Sequence, residues 1–190
     1  MGKIVSNFFI SMDGVVERPD EWHFPYWNGE MEAAVGAGFE TTTAMLMGRV
    51  LYDEWAEYWP ASTDEPIATV FNTMPKYVVS STLRAADWNN TTIIGSGGGG
   101  VADRIRELKA SVEGDISMSG SATLVRWLLT EGLLDELRLL VHPIAVGSGQ
   151  RLFEDTPTHP LQLVSSETFS TGVLNLSYAP AERIVRGDGG

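Results

Sequence analysis

Four places in this 190-residue chain set glycine, hydroxyl or charged side chains where a strand-like run gives way to another element. Met47-Gly48-Arg49 lies between the apolar run 44–47 and a helical stretch at 49–58. Glycine lets a ligand approach the backbone closely. A helix N-terminus offers unpaired N–H groups to an anion, and arginine adds a fork that matches phosphate oxygens. A plain glycine turn with a surface arginine explains the same residues equally well. Ser80-Ser81-Thr82 follows the strand-like run 76–79. Its hydroxyls can donate to a phosphate or serve as helix caps. Ser119-Gly120-Ser121-Ala122-Thr123 precedes a helix whose buried face is marked by Leu124, Trp127 and Leu128. Small residues there let a dinucleotide backbone pass over the helix end. Ser11-Met12-Asp13-Gly14 follows the first strand and reads most simply as a tight turn. The chemistry these junctions share is the binding of a phosphate-bearing ligand.

Other chemistries lack their residues. With no cysteine there is no disulfide framework, zinc ribbon, thiolate nucleophile or iron–sulfur site. His23, His142 and His159 do not form a metal-binding spacing, so no metal is expected. Gly-x-Ser-x-Gly, P-loop and Gly-x-Gly-x-x-Gly patterns are all missing. The glycine run at 95–100 follows a strand, but consecutive glycines give a flexible loop rather than a preorganised cradle. Trp22-His23-Phe24-Pro25-Tyr26-Trp27 packs four aromatics into six residues, either as a local core or as the wall of a site for a flat heterocycle.

Charge narrows the partners. Thirteen bases against 25 acids leave a net charge of −12, which argues against a nucleic-acid surface. The charge is uneven: residues 13–65 hold twelve acids and two bases, Arg18 and Arg49. Two readings stay open, a solvated acidic face and an acidic rim around a cleft. No apolar run approaches the roughly 18 residues needed to cross a bilayer, and the N-terminus has no signal-peptide pattern. A cytoplasmic protein that acts on a small molecule, without membrane or nucleic acid, is expected.

The elements that must position these junctions follow from periodicity. Strands are expected at 4–10, 44–47, 76–79, 91–94, 116–119, 137–141, 161–168 and 173–179. Helices are expected at 29–39, 49–58, 101–110 and from Leu124. Residues 12–28 read as a long loop, and Ser170-Thr171-Gly172 as a hairpin turn. Alternation with a β-rich end predicts a single α/β domain over 1–180, with a mainly parallel central sheet and a C-terminal antiparallel hairpin. Residues 181–190 are expected to form a flexible tail. In such sheets ligands sit beyond the carboxyl ends of strands, which is where the junctions lie.

Taken in order, these motifs resemble the dihydrofolate reductase superfamily. They are most similar to the C-terminal reductase domain of the bacterial bifunctional riboflavin deaminase-reductase, in stand-alone form. Gly132-Leu133-Leu134-Asp135-Glu136-Leu137 through Val141-His142-Pro143, and Gly147-Ser148-Gly149-Gln150-Arg151-Leu152-Phe153, extend the match to nearly the whole chain. The resemblance implies the three-layer dihydrofolate reductase-like fold and NADPH-dependent, flavin-free hydride transfer to a small heterocycle. The substrate of the closest group is 5-amino-6-(5-phosphoribosylamino)uracil, of riboflavin biosynthesis. The resemblance assigns Gly48, Arg49, Val50 and Leu51 to the cofactor phosphates, and Ser80, Ser81 and Thr82 to the adenosine end. It places Ser81 and Arg49 near the 2′-phosphate. Gly120, Ser121, Ala122, Thr123 and Leu124 would support the pyrophosphate, with Val16 near the nicotinamide and Asp13 and Trp27 on the substrate side. Folate-reducing members carry a helix carboxylate five residues after a Trp and sixteen before the Gly of Met-Gly-Arg. Glu32 meets both spacings from Trp27 and Gly48 and becomes the candidate catalytic acid; a carboxylate favoured by the helix dipole is the other reading. The folate pattern is broken elsewhere: Asn72-Thr73-Met74-Pro75 lacks its arginine, Val141 replaces its threonine and Ser119-Gly120 replaces its Gly-Gly. Dihydrofolate reductase and a catalytically inactive nucleotide-binding or regulatory protein therefore stand as alternatives. Stand-alone relatives pair, so a homodimer is expected.

Overall fold

The structure is a computed structural model that describes residues 1–95 and 100–181. The expected flexible glycine loop and flexible tail fall on residues 96–99 and 182–190, outside the described residues. In chain order the elements are β1 (Lys3–Ser11), α1 (Gly29–Glu40), β2 (Thr42–Gly48), α2 (Arg49–Tyr58), α3 (Ile67–Thr73), β3 (Lys76–Val79) and β4 (Thr91–Ile94). They continue with α4 (Val101–Ser111), β5 (Asp115–Ser119), α5 (Ala122–Thr130), β6 (Glu136–His142), β7 (Leu161–Thr168) and β8 (Leu174–Pro180). The strands form one eight-stranded sheet in the order β4-β3-β2-β5-β1-β6-β8-β7. The first six of these run parallel, and β8 and β7 join antiparallel through the expected hairpin. Among the described residues no helix is long and apolar enough to cross a membrane.

β1 is apolar on both alternating faces because it pairs with β5 and β6 at the centre of the sheet. Ile4, Phe8 and Ile10 pack with Ile105 and Leu108 of α4 and with Leu124 and Leu128 of α5. The opposite face has two separate cores. Met45, Met47 and Val78 pack with Tyr52 of α2 and Phe71 of α3. Met31 of α1 packs with Phe169 and Val173, against Phe9 and Leu140. The three-layer α/β architecture follows, and the gap between the two cores on that second face becomes the site.

Two features differ from the sequence reading. Residues 12–28 contain 3-10 turns at Pro19–Glu21 and Phe24–Tyr26. The helix α3, rich in β-branched residues, is closed by a side chain outside it. The fully buried Lys76 ammonium donates to the carbonyls of Phe71 at 2.7 Å and Met74 at 2.8 Å. This satisfies carbonyls that a helix end leaves open. The same ammonium lies 4.3 Å from the centre of the Trp88 ring.

Candidate active site

The carboxyl ends of β2 and β5 bring two helix N-termini together. Gly120 has φ +96° and Ser121 φ +64°, so the chain passes through the left-handed region twice before α5 begins. Ser121 does not cap its own helix. Its hydroxyl instead accepts the Gly48 N–H at 2.9 Å, tying the start of α2 to the start of α5. A Cβ on residue 48 would stand 2.9 Å from Ser121 Oγ, closer than side chains pack, so a larger residue would displace the hydroxyl that ties the two helices. The first backbone bond of α5 runs from Val125 N–H to Ser121 O, 3.0 Å. It leaves the amides of Ala122, Thr123 and Leu124 at an open helix end. Bare backbone, two helix dipoles and donor groups at one point form a cradle suited to an anionic pyrophosphate.

Arg49 extends this cradle toward β3. Its Nε donates to Asp53 at 3.1 Å and its Nη1 to Thr82 Oγ1 at 3.2 Å, with the side chain about half exposed. Ser80 Oγ accepts the amides of Thr82 at 3.2 Å and Leu83 at 3.0 Å, which shapes the turn and leaves Ser81 and Thr82 exposed. Gly48, Arg49, Ser80, Thr82 and Ser121, distant in sequence, are thus linked by direct contacts.

The cradle opens into a cleft of about 910 Å³ between α1 and α2. Among the residues singled out in the sequence, Val16, Val50, Leu51, Gly120 and Ser121 line it. Its rim carries the exposed carboxylates Glu17, Asp20 and Glu54. Part of the acidic segment is therefore a rim, as one of the two open readings held. Arg18 stands there too, but is paired with Glu21 at 2.6 Å.

The half-buried floor is polar where the surrounding strands are apolar. Sheet register places Ser119, Asn7, Arg138 and Ser177 side by side across β5, β1, β6 and β8. Asn7 Nδ2 donates to Ser117 Oγ at 3.3 Å and to Met118 O at 3.4 Å. Arg138 Nε donates to Glu136 at 2.7 Å, and Ser177 Oγ donates to the same carboxylate at 2.7 Å. Burial alone would raise the Glu136 carboxyl; the bonds from Arg138 and Ser177 and the charges of Arg138 and Lys3 outweigh it and hold it below its ordinary value. The sequence reading missed Arg138 and Asn7. Their signal was available: Arg138 is the one cation in the run Leu137-Arg138-Leu139-Leu140-Val141.

Three expected site residues stand elsewhere. Glu32 is exposed and outside the cleft lining. Met31, fully buried, sets the phase of α1, and Glu32 is rotated about 100° from it. Ala34, Val35, Gly38 and Phe39 are the α1 residues that face the cleft. Glu32 shares the side of α1 that carries Val35 and Phe39, three and seven residues on, but sits in the first turn of the helix, short of the lining. Asp13 does not line the cleft either. Its carboxylate accepts from Ser11 Oγ at 2.6 Å and from the amides of Val146 at 3.0 Å and Gly147 at 2.8 Å. Those bonds hold it at about pKa 2 and clamp the loop after β1 to the loop after β6. Trp27 also lies off the lining, in edge contact with Phe9 and His23. Of the aromatics at 22–27, Trp22 is buried and Tyr26 half-buried against the fully buried His142, whose ring centre is 6.1 Å from that of His23, while Phe24 and Trp27 stay exposed. Burial pushes both imidazoles below their ordinary pKa, and the two rings oppose each other's charge. Among the described residues no group of three or more His, Asp or Glu could hold a metal.

The architecture recurs in known proteins. The uncharacterized protein YyaP of Bacillus subtilis strain 168 is 28% identical over 188 residues, covering 93% of this chain and 94% of its own. A Shewanella sp. PV-4 protein named for riboflavin biosynthesis superposes with a TM-score of 0.76 at 19% identity, covering 94% of this chain and 99% of that one. The riboflavin biosynthesis reductase Rib7 of Saccharomyces cerevisiae gives 0.61 at 13% identity, over 95% and 90% of the chains. Dihydrofolate reductase of Enterococcus faecalis, solved with NADP(H), gives 0.61 at 11% identity, over 95% and 98%. These structures share the fold. The model of the RibD C-terminal domain matches residues 2–175. The chain belongs to the RibD C-terminal domain family.

Proposed function

We propose that this protein is an NADPH-dependent reductase of a small heterocyclic substrate, working by direct hydride transfer. The observation that carries the reading is the Gly48–Ser121 junction, where two helix N-termini and a bare backbone meet at the mouth of the cleft. The fold shared with a riboflavin biosynthesis reductase and with a dihydrofolate reductase solved with NADP(H) supports it.

When bound, the nicotinamide supplies a hydride to an electron-poor C=N or C=O carbon, and the neighbouring atom takes a proton. The residues of the chain supply position. The backbones of Gly48, Gly120 and Ser121 and the amides of Ala122, Thr123 and Leu124 hold the pyrophosphate. Arg49, Ser80, Ser81 and Thr82 hold the adenosine end and its 2′-phosphate. Val50 and Leu51 flank the phosphates, and Val16 gives an apolar wall that orients the nicotinamide and excludes water from its face. Asn7 and Arg138 hold the substrate on the floor. Among the described residues the acids of the lining, Glu17, Asp20 and Glu54, are exposed at the rim, and water at that rim, beyond the apolar wall, is the proton source of this reading.

Titration with NADPH and NADH, followed by nicotinamide fluorescence, tests the reading. Saturable NADPH binding is expected, and its absence contradicts it. An inactive nucleotide-binding protein binds NADPH equally well but oxidises it with no pteridine or pyrimidine. The reading also includes a homodimer. β7 is exposed along nearly all its length, with Leu163 and Val164 uncovered, and is the edge available for pairing; light scattering decides.

A further inference from the structure

The rim of the cleft is acidic, while its floor holds a guanidinium with two free nitrogens beside a neutralising carboxylate, and that arrangement selects a ligand. Arg138 spends only Nε on Glu136. Among the described residues its two terminal nitrogens have no protein acceptor, and the side chain is about a third exposed, into the cleft. A Cβ on Gly38 would lie 3.9 Å from Arg138 Nη1 and 4.0 Å from Asn7 Oδ1. Gly38 of α1 thus leaves both groups uncovered. Asn7 spends its amide donor on Ser117 and Met118, so its Oδ1 remains as an acceptor. The floor therefore presents paired donors beside one acceptor, all within reach of a flat ring. A guanidinium fork reads two adjacent acceptors on a heterocycle edge, such as a carbonyl oxygen next to a ring nitrogen. Above it, Glu17, Asp20 and Glu54 meet one arginine already paired with Glu21. Among the described residues of the rim, a phosphate on the outer part of the ligand would face those carboxylates with no unpaired cation, because Arg138, the lining cation with free nitrogens, lies at the floor.

We propose that the substrate is an uncharged oxo-heterocycle without a phosphate, whose carbonyl and neighbouring ring nitrogen are bound by Arg138 and whose ring N–H is bound by Asn7 Oδ1. This names the substrate class for the reductase reading and rests on it. Arg138 is the residue that reads the ring, and the rim is what excludes the phosphorylated form.

Four probes test it by fluorescence titration without cofactor: pterin, 2,4-diaminopteridine, 6-hydroxymethylpterin and its phosphate ester. Pterin presents a carbonyl oxygen beside a ring nitrogen; the diamino compound replaces that oxygen with a donor. Pterin is expected to bind roughly tenfold or more tightly than 2,4-diaminopteridine, as for a hydrogen bond to a charged group. The phosphate ester is expected to bind more weakly than its parent alcohol. Arg138→Met removes the preference for pterin and leaves the discrimination against phosphate. Because that variant strands the Glu136 carboxylate, Gly38→Ala provides a second test. Its methyl covers the guanidinium without crowding the backbone, and the preference falls while the fold is kept. Failure of pterin to bind, tighter binding of the diamino compound (as a carboxylate at this position would give), or stronger binding of the phosphate ester overturns the proposal. An unchanged preference in both variants also overturns it. NADPH titration of the same samples separates the two readings. NADPH binding without pterin preference removes only this inference, and pterin preference without NADPH binding removes the reductase.

Discussion

The two ends of the cleft are built in different ways. The cradle at Gly48 and Ser121 uses local backbone: a glycine, a left-handed residue pair and two helix starts, each within a few residues of sequence. The floor uses side chains that meet only through sheet register, with Ser119, Asn7, Arg138 and Ser177 drawn from four strands. A phosphate group is recognised by N–H groups that any sequence can supply at a helix start. A ring is recognised by particular side chains at fixed angles. The first kind of site depends on backbone conformation and the second on the identity of particular side chains, and this chain carries one of each.

Substitutions that act on one end only sharpen this comparison. The largest effect is expected from Gly48→Val, whose side chain enters the space held by Ser121 Oγ. It weakens NADPH roughly 10- to 100-fold, as overpacking costs about 1–3 kcal/mol, and leaves pterin binding in place; fluorescence titration of both ligands checks it. A similar loss for both ligands would break the division into two ends.

The paired histidines at the aromatic segment after β1 should respond to pH. His23 and His142 are buried with pKa values below the ordinary 6.5. The unfolded chain therefore takes up protons first as pH falls through 6.5, so stability drops on the acid side of that value and is flat above it. Asp20 works against this at His23 but is the smallest of its influences. Denaturant midpoints at pH 7.5 and 5.5 measure the drop, and His142→Phe should reduce it.

Arg49→Ala comes next. The side chain is half exposed, and a pair of that kind is worth about 1 kcal/mol or less. NADPH should weaken roughly fivefold, with NADH nearly unchanged. Equal loss for both would remove Arg49 from the 2′-phosphate. The smallest effect is expected from Glu32→Gln, an exposed position outside the lining. Stability should stay within about 0.5 kcal/mol, and NADPH-dependent turnover should be unchanged. A large loss of turnover would return Glu32 to the chemistry.

The same division explains what the sequence disclosed. The strands, the hairpin and the strand-to-helix junctions were legible because each is a local pattern of period, glycine and hydroxyl. α3 was not, since Lys76, outside the helix, closes its end. Glu32 matched a spacing and lies on the Val35 and Phe39 side of α1, but in the first turn, before the helix reaches the cleft. Asp13 looked like a ligand contact because a turn aspartate carries no mark of the amides it will meet, here those of Val146 and Gly147. Arg138 was visible as a charge in an apolar strand, yet its neighbours Asn7 and Gly38 are more than ninety residues away in the chain and meet it only in the fold.

A crystal structure with NADPH and pterin bound tests the central claim most directly. The account predicts the pyrophosphate against Gly48 and the α5 N-terminus, the nicotinamide in the cleft, and the pterin carbonyl on Arg138. A cofactor bound away from the Gly48–Ser121 junction, or a pterin held by Glu32 instead of Arg138, would contradict it.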